Sequence, residues 1–124
     1  MSDAAPTAEA IKAEISRELV RVHEESYGEG ATNLDVALHE TFVVVVLDVL
    51  LSPAERTLIE AGNDNSVTSI REAFQIAIQP TFTAIIERAT GRRVTGFASR
   101  MVVAGPGPPW SVEVFRLADP AISP

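Results

Sequence analysis

Thr41-Phe-Val-Val-Val-Val-Leu-Asp-Val-Leu-Leu-Ser52 decides how the rest of this chain is read. Four consecutive valines are β-branched and stiff at χ1, which favours a pleated strand over a helix. Both parities of the run are apolar, so the predicted strand over Thr41–Leu51 is central in a sheet or covered on both faces. Asp48 interrupts it and reads as a strand-end carboxylate reaching solvent or backbone. The apolar run Phe42–Leu51 also falls far short of the roughly 20 residues that a membrane-spanning helix needs.

The strand runs directly into a helix start. In Ser52-Pro53-Ala54-Glu55 the serine is placed to cap the first amides, the proline suits the first helical position, and the glutamate can reach back to the cap. Arg56, Leu58, Ile59 and Glu60 continue this short helix to Gly62. Asn63-Asp64-Asn65-Ser66 then offers caps for a longer helix, whose apolar positions run from Val67 through Ile70, Phe74, Ile78, Phe82 and Ile85 to Ala89 before Gly91. Pro80 lies inside it, and a kink or break is predicted there. Arg93–Val103 and Trp110–Leu117 read as two strands, separated by a loop with three prolines and two glycines. Gly96 marks a bulge or a close backbone approach.

Upstream of the valines, Thr32–Leu38 alternates Leu34, Val36 and Leu38 with Asn33, Asp35 and Ala37, the period of a strand with one wet face. His39-Glu40 turns it into the valine strand. Before it, Ile11, Ile15, Leu19 and Val22 form one face of an amphipathic helix that ends near Tyr27, where Gly28-Glu29-Gly30 stops it. His23 is expected at the edge of this helix. Residues 1–6 read as a disordered end, 7–118 as one domain and 119–124 as a tail. The order α-β-β-α-α-β-β predicts an α+β fold: a single two-layer domain, mostly antiparallel, with helices on one face of the sheet.

Composition narrows function by exclusion. The chain has 124 residues, no cysteine and a net charge of −7. Residues 1–64 carry 13 acidic and 4 basic side chains, so phosphate backbones are repelled and no nucleic-acid partner is expected. The start lacks the basic and apolar segments of a secretory signal, and no spanning segment follows, so a cytoplasmic protein is expected. No cofactor, metal or catalytic residue is identified. His23 and His39 have no metal-ligand spacing, no nucleophile elbow singles out a serine, and Gly28-Glu29-Gly30 follows a helix where a phosphate loop follows a strand.

Three loops remain as candidate sites. Gly91-Arg92-Arg93 follows a helix C-terminus, where positive charge is favourable for its own sake. As a functional cluster, Arg92 and Arg93 with Arg100 form a candidate anion or partner contact, joined by Arg116 if the last hairpin allows. Gly28 and Gly30 with Trp110 are candidate partner-loop residues, weighed against a plain helix stop and an ordinary edge tryptophan.

The ordered set Tyr27-Gly28-Glu29-Gly30-Ala31, Leu50-Leu51-Ser52-Pro53-Ala54-Glu55, Ile70-Arg71-Glu72-Ala73-Phe74, Gly91-Arg92-Arg93-Val94 and Val112-Glu113-Val114-Phe115-Arg116-Leu117 resembles the MpsC-like family over about residues 9–118. Glu29 and Ala31 stand where that family tends to have Arg and Pro. The resemblance implies an accessory or regulatory protein of a sodium-translocating, membrane-potential-generating system related to inorganic-carbon uptake. It also implies a possible membrane-protein partner and brings no catalytic residues. From the residues themselves, a small domain with four strands has limited means to cover both sheet faces, and a homodimer is expected. A small-anion sensor is the alternative.

Overall fold

The computed structural model describes residues 6–27, 33–103 and 105–119. Its elements are α1 (Ala8–Tyr27), β1 (Leu34–Leu38), β2 (Phe42–Asp48), α2 (Pro53–Glu60), α3 (Asp64–Thr90), β3 (Val94–Val102) and β4 (Trp110–Leu117). The expected order and α+β class are observed. The strands form one antiparallel sheet in the order β1-β2-β4-β3. The readings of residues 1–5, of the Gly28–Gly30 loop and of the tail from Pro120 fall outside the described residues.

The valine strand is central, paired with β1 on one side and β4 on the other. It is shorter than predicted, because Val49–Leu51 leave the sheet on the way into α2. Of the two alternatives expected for it, the central position is observed and cover on both faces is not. Val43, Val45 and Leu47 are buried under the helices, whereas Val46 is exposed and Phe42 and Val44 are half-buried. Asp48 accepts a 2.9 Å hydrogen bond from the Asn33 side chain, which ties the strand end to the residue just before β1.

One core lies between the sheet and the helices α1 and α3. Ile15, Leu19 and Val22 of α1 and Phe82, Ile85, Ile86 and Ala89 of α3 meet Val36, Val43, Val45, Leu47, Phe115 and Leu117. Burying each such side chain contributes roughly 1.5–3 kcal/mol, so the helix–sheet layer dominates stability.

Local signals decide where elements begin and end. The capping box forms: Glu55 N donates to Ser52 Oγ at 3.1 Å, and Ser52 N donates to Glu55 Oε1 at 2.9 Å. Glu55 also holds Arg71 of α3, with two contacts of 2.6 Å, and Arg71 donates to the Leu50 carbonyl at 3.2 Å. One carboxylate thus caps α2 and pins it to α3, and the Arg71 guanidinium holds the Glu55 acid below its usual range. Asn63 does occupy the N-cap of α3, but its side chain makes no capping bond. Gly91 ends α3 at φ 71°, a left-handed cap.

Pro80 does not break α3, which runs as one helix of 27 residues. Pro80 and Ile76, one turn before it, are both exposed, so the carbonyl that loses its donor lies on the water side. The register of β3 against β4 shifts between Val94 and Gly96, the bulge expected at this glycine.

Candidate functional site

Strand alternation sorts the sheet into two faces. Under the helices lie Val36, Val43, Val45, Leu47, Ser111, Glu113, Phe115 and Leu117. The other face is built in register from four rows. Asp48, Trp110 and Val102 form the first row across β2, β4 and β3. Asp35, Val46, Val112 and Arg100 form the second, across all four strands. Ala37, Val44, Val114 and Ala98 form the third, and Phe42, Arg116 and Gly96 the fourth.

No described helix packs on these rows: α1 and α3 meet over the opposite face, and α2 lies against α3. The middle of the open face is therefore valine and alanine, shielded only by its own neighbours. Trp110 and Val46 are 39% and 38% exposed. Exposed apolar patches of a few hundred Å² are often functional. Its four charges are two aspartates and two arginines, so it is neutral on a chain that carries −7.

Trp110, predicted as a partner contact, sits on this face at the start of β4. The arginines divide. Arg100 lies on the same face, in the row of Asp35, seven positions along from Arg93 and roughly 23 Å away by strand rise. Arg92 stays at the other end of β3, where its Nε and Nη2 donate to the Ala118 carbonyl at 3.1 and 2.7 Å. Arg116, at the same end, lines an open cavity of about 460 Å³ with Arg92, Glu40, Thr41, Leu117 and Asp119. Two carboxylates balance the two guanidiniums there. Arg93 lines a shallower depression with Glu87, Gly91 and Arg92.

A polar cluster in the core was not foreseen. Glu113 is fully buried on β4, and the amide Nε2 of Gln75 donates to its Oε2 at 3.5 Å. Glu113 Oε1, Gln75 Oε1 and Ser111 Oγ are buried with no hydrogen-bond partner among the described residues. Burial pushes the Glu113 acid up to about 8, so the side chain is protonated at neutral pH and avoids placing a bare charge in the core. His23 is also in the core and not at the helix edge. Its ring stacks on Phe82 with centroids 5.5 Å apart, and Nδ1 lies 2.7 Å from the Leu19 carbonyl. Burial holds His23 below its usual range, against the opposing pull of the Leu19 carbonyl.

Sequence reasoning passed over Val44, Val46, Val112 and Val114 because valine in a strand reads as core. The available signal was parity: Phe115 and Leu117 share a phase with Ser111 and Glu113, which leaves the valines of β4 on the other side.

Among the described residues, no helix is long and apolar enough to cross a membrane. No curated protein and no solved structure matches the chain. The family model for the Na+-translocating membrane potential-generating system (MpsC) matches residues 7–104, from the start of α1 to just past β3 and short of β4. Matched over most of its length, with the helices and strands in the expected order, the chain belongs to the MpsC family.

Proposed function

We propose that this chain is a non-enzymatic accessory protein of a membrane-potential-generating system and works by holding another polypeptide against the open face of its sheet. The observation that carries this reading is the uncovered apolar centre of that face, Val44, Val46, Val112 and Val114, bordered by Trp110. Such a surface is costly to leave in water and has the composition of a contact, with an aromatic residue at its margin. The membrane-potential context rests on family membership. The non-enzymatic part rests on the missing catalytic motif.

A photo-crosslinking residue placed at Val46 or Val112 in the full chain tests this in native membranes and lysate. Discrete polypeptide adducts from these two positions, with none from the exposed helical position Ala73, are expected. Equal labelling from both faces, or none from the sheet, overturns the reading.

A second reading, a small-anion sensor, has the shared cavity of Arg92 and Arg116 in its favour. Titration with bicarbonate and with inorganic phosphate, followed by amide shifts at Gly91–Val94 and Arg116, tests it. An unchanged spectrum removes it.

A further inference from the structure

The first occupant of the open face is a second copy of this chain, we infer, packed sheet to sheet about a two-fold axis that runs parallel to the strands between β2 and β4. This rests on the reading of the open face as a contact surface and names what it contacts.

The support is the order of side chains within the rows. Two sheets packed face to face lie about 10 Å apart with strands within roughly 30° of alignment. A two-fold axis along the strands places β1 of one copy over β3 of the other, and β2 over β4. Each row then meets itself reversed. Asp35 comes opposite Arg100 of the second copy, and Arg100 opposite its Asp35, one pair at each edge. Val46 meets Val112, Val44 meets Val114, and Ala37 meets Ala98. Arg116 faces the ring of Phe42, a cation over an aromatic face. In the two four-residue rows every apolar position meets an apolar one and both charges meet their opposites, while in the first row Asp48 comes opposite Trp110.

The other in-plane axis fails this comparison. Run across the strands through the second row, it places Asp35 against Asp35 and Arg100 against Arg100. Run between the second and third rows, it places Asp35 against Ala37 and leaves the charges unpaired. Electrostatic pairing at a rim fixes register and orientation more than affinity, and here it selects one axis. Neutrality of the face matters as well, since the rest of each copy repels the other.

Size sets the expected strength. Four strands about 4.8 Å apart over some seven residues of about 3.4 Å cover roughly 450 Å² on each copy. Twice that area is at the low end for specific association, so a micromolar dimer is expected.

Sedimentation velocity over a concentration series from about one to several hundred micromolar tests the proposal on the intact chain. Concentration-dependent dimerisation is expected, and Val112→Glu should abolish it with an unchanged circular dichroism spectrum. Asp35→Arg alone and Arg100→Asp alone should each weaken the dimer roughly five- to thirty-fold. The double swap Asp35→Arg/Arg100→Asp should restore it. Within one copy these two residues are three strand spacings apart, roughly 14 Å, so rescue cannot arise inside a single chain. A chain that stays monomeric throughout, a dimer indifferent to Val112→Glu, or a double swap that fails to rescue overturns the inference. Were the chain monomeric while Val46 and Val112 still crosslinked to a different polypeptide, the contact reading would stand and self-association alone would fall.

Discussion

The two faces of the sheet are made by the same strands, residue by residue, yet they solve opposite problems. On β4, Phe115 is fully buried beneath the helices while its neighbours Val114 and Arg116 point the other way. On β2, Val45 is fully buried and Val46 is exposed. The covered face carries a protonated acid and a hydroxyl among its apolar groups, with the Gln75 amide of α3 set against the acid. The open face is valine and alanine at its centre. Ser111 and Glu113 of β4 are thus inside and its valines outside, the reverse of the usual assignment for a half-wet strand. The difference teaches that apolar character in a strand reports a demand for burial, which a fold can leave for a second molecule to meet.

That contrast breaks first under truncation of the covered face. Phe115→Ala should lower unfolding stability by about 3–5 kcal/mol, measured by urea denaturation. Val114→Ala, one residue away, should cost under about 1 kcal/mol while weakening self-association. Similar stability losses for the two would show that the faces are equally covered.

The pH dependence comes next. Glu113 is raised from 4.5 to about 8 in the folded chain, so the folded state holds a proton that the unfolded state releases. Its contribution is complete below about pH 4.5 and is lost as pH rises toward 8, a change on the order of 3–5 kcal/mol. Glu113→Gln should flatten this slope in urea titrations between pH 5 and 8. The double change Gln75→Leu/Glu113→Leu should be neutral or stabilising at pH 8, because both polar partners leave together. His23 has the opposite sign: its folded value lies below 6.5, so its contribution is lost as pH falls from about 6.5. A stability that rises steadily from pH 5 to 8 would remove the buried-acid assignment.

A moderate effect is expected where the helical layer is tied together. Arg71→Ala leaves Glu55 without its partially buried partner and should cost about 2–4 kcal/mol in thermal or urea unfolding. Smallest of all is Trp110→Ser on the open face. It should change stability by less than about 1 kcal/mol, with its effect visible in crosslinking and sedimentation.

Local grammar made most of the fold legible. The Ser52–Glu55 box, the hairpin at His39-Glu40, the bulge at Gly96 and the stop at Gly91 each depend on a few adjacent residues, and each formed. Pro80 did not break its helix because exposure of the affected turn is a tertiary fact that no neighbouring residue announces. Burial of Glu113 and His23 was hidden for a similar reason: both are charged or titratable types, and only packing shows the group to be enclosed. The candidate surface was half legible. Trp110 was singled out for its type, but the rows that join Asp35 to Arg100 exist only once the register of all four strands is known.

The strand order has a further consequence for how the chain comes into being. β4 is last in sequence and yet lies between β2 and β3. A nascent chain emerging from the ribosome therefore displays the valine strand for some sixty residues before its central neighbour exists, and the β2–β4 ladder closes only once β4 has emerged. Late, long-range closure of this kind slows folding and leaves an unpaired apolar edge open to other chains. Cutting the chain after residue 104, where the family match stops, would make that transient exposure permanent.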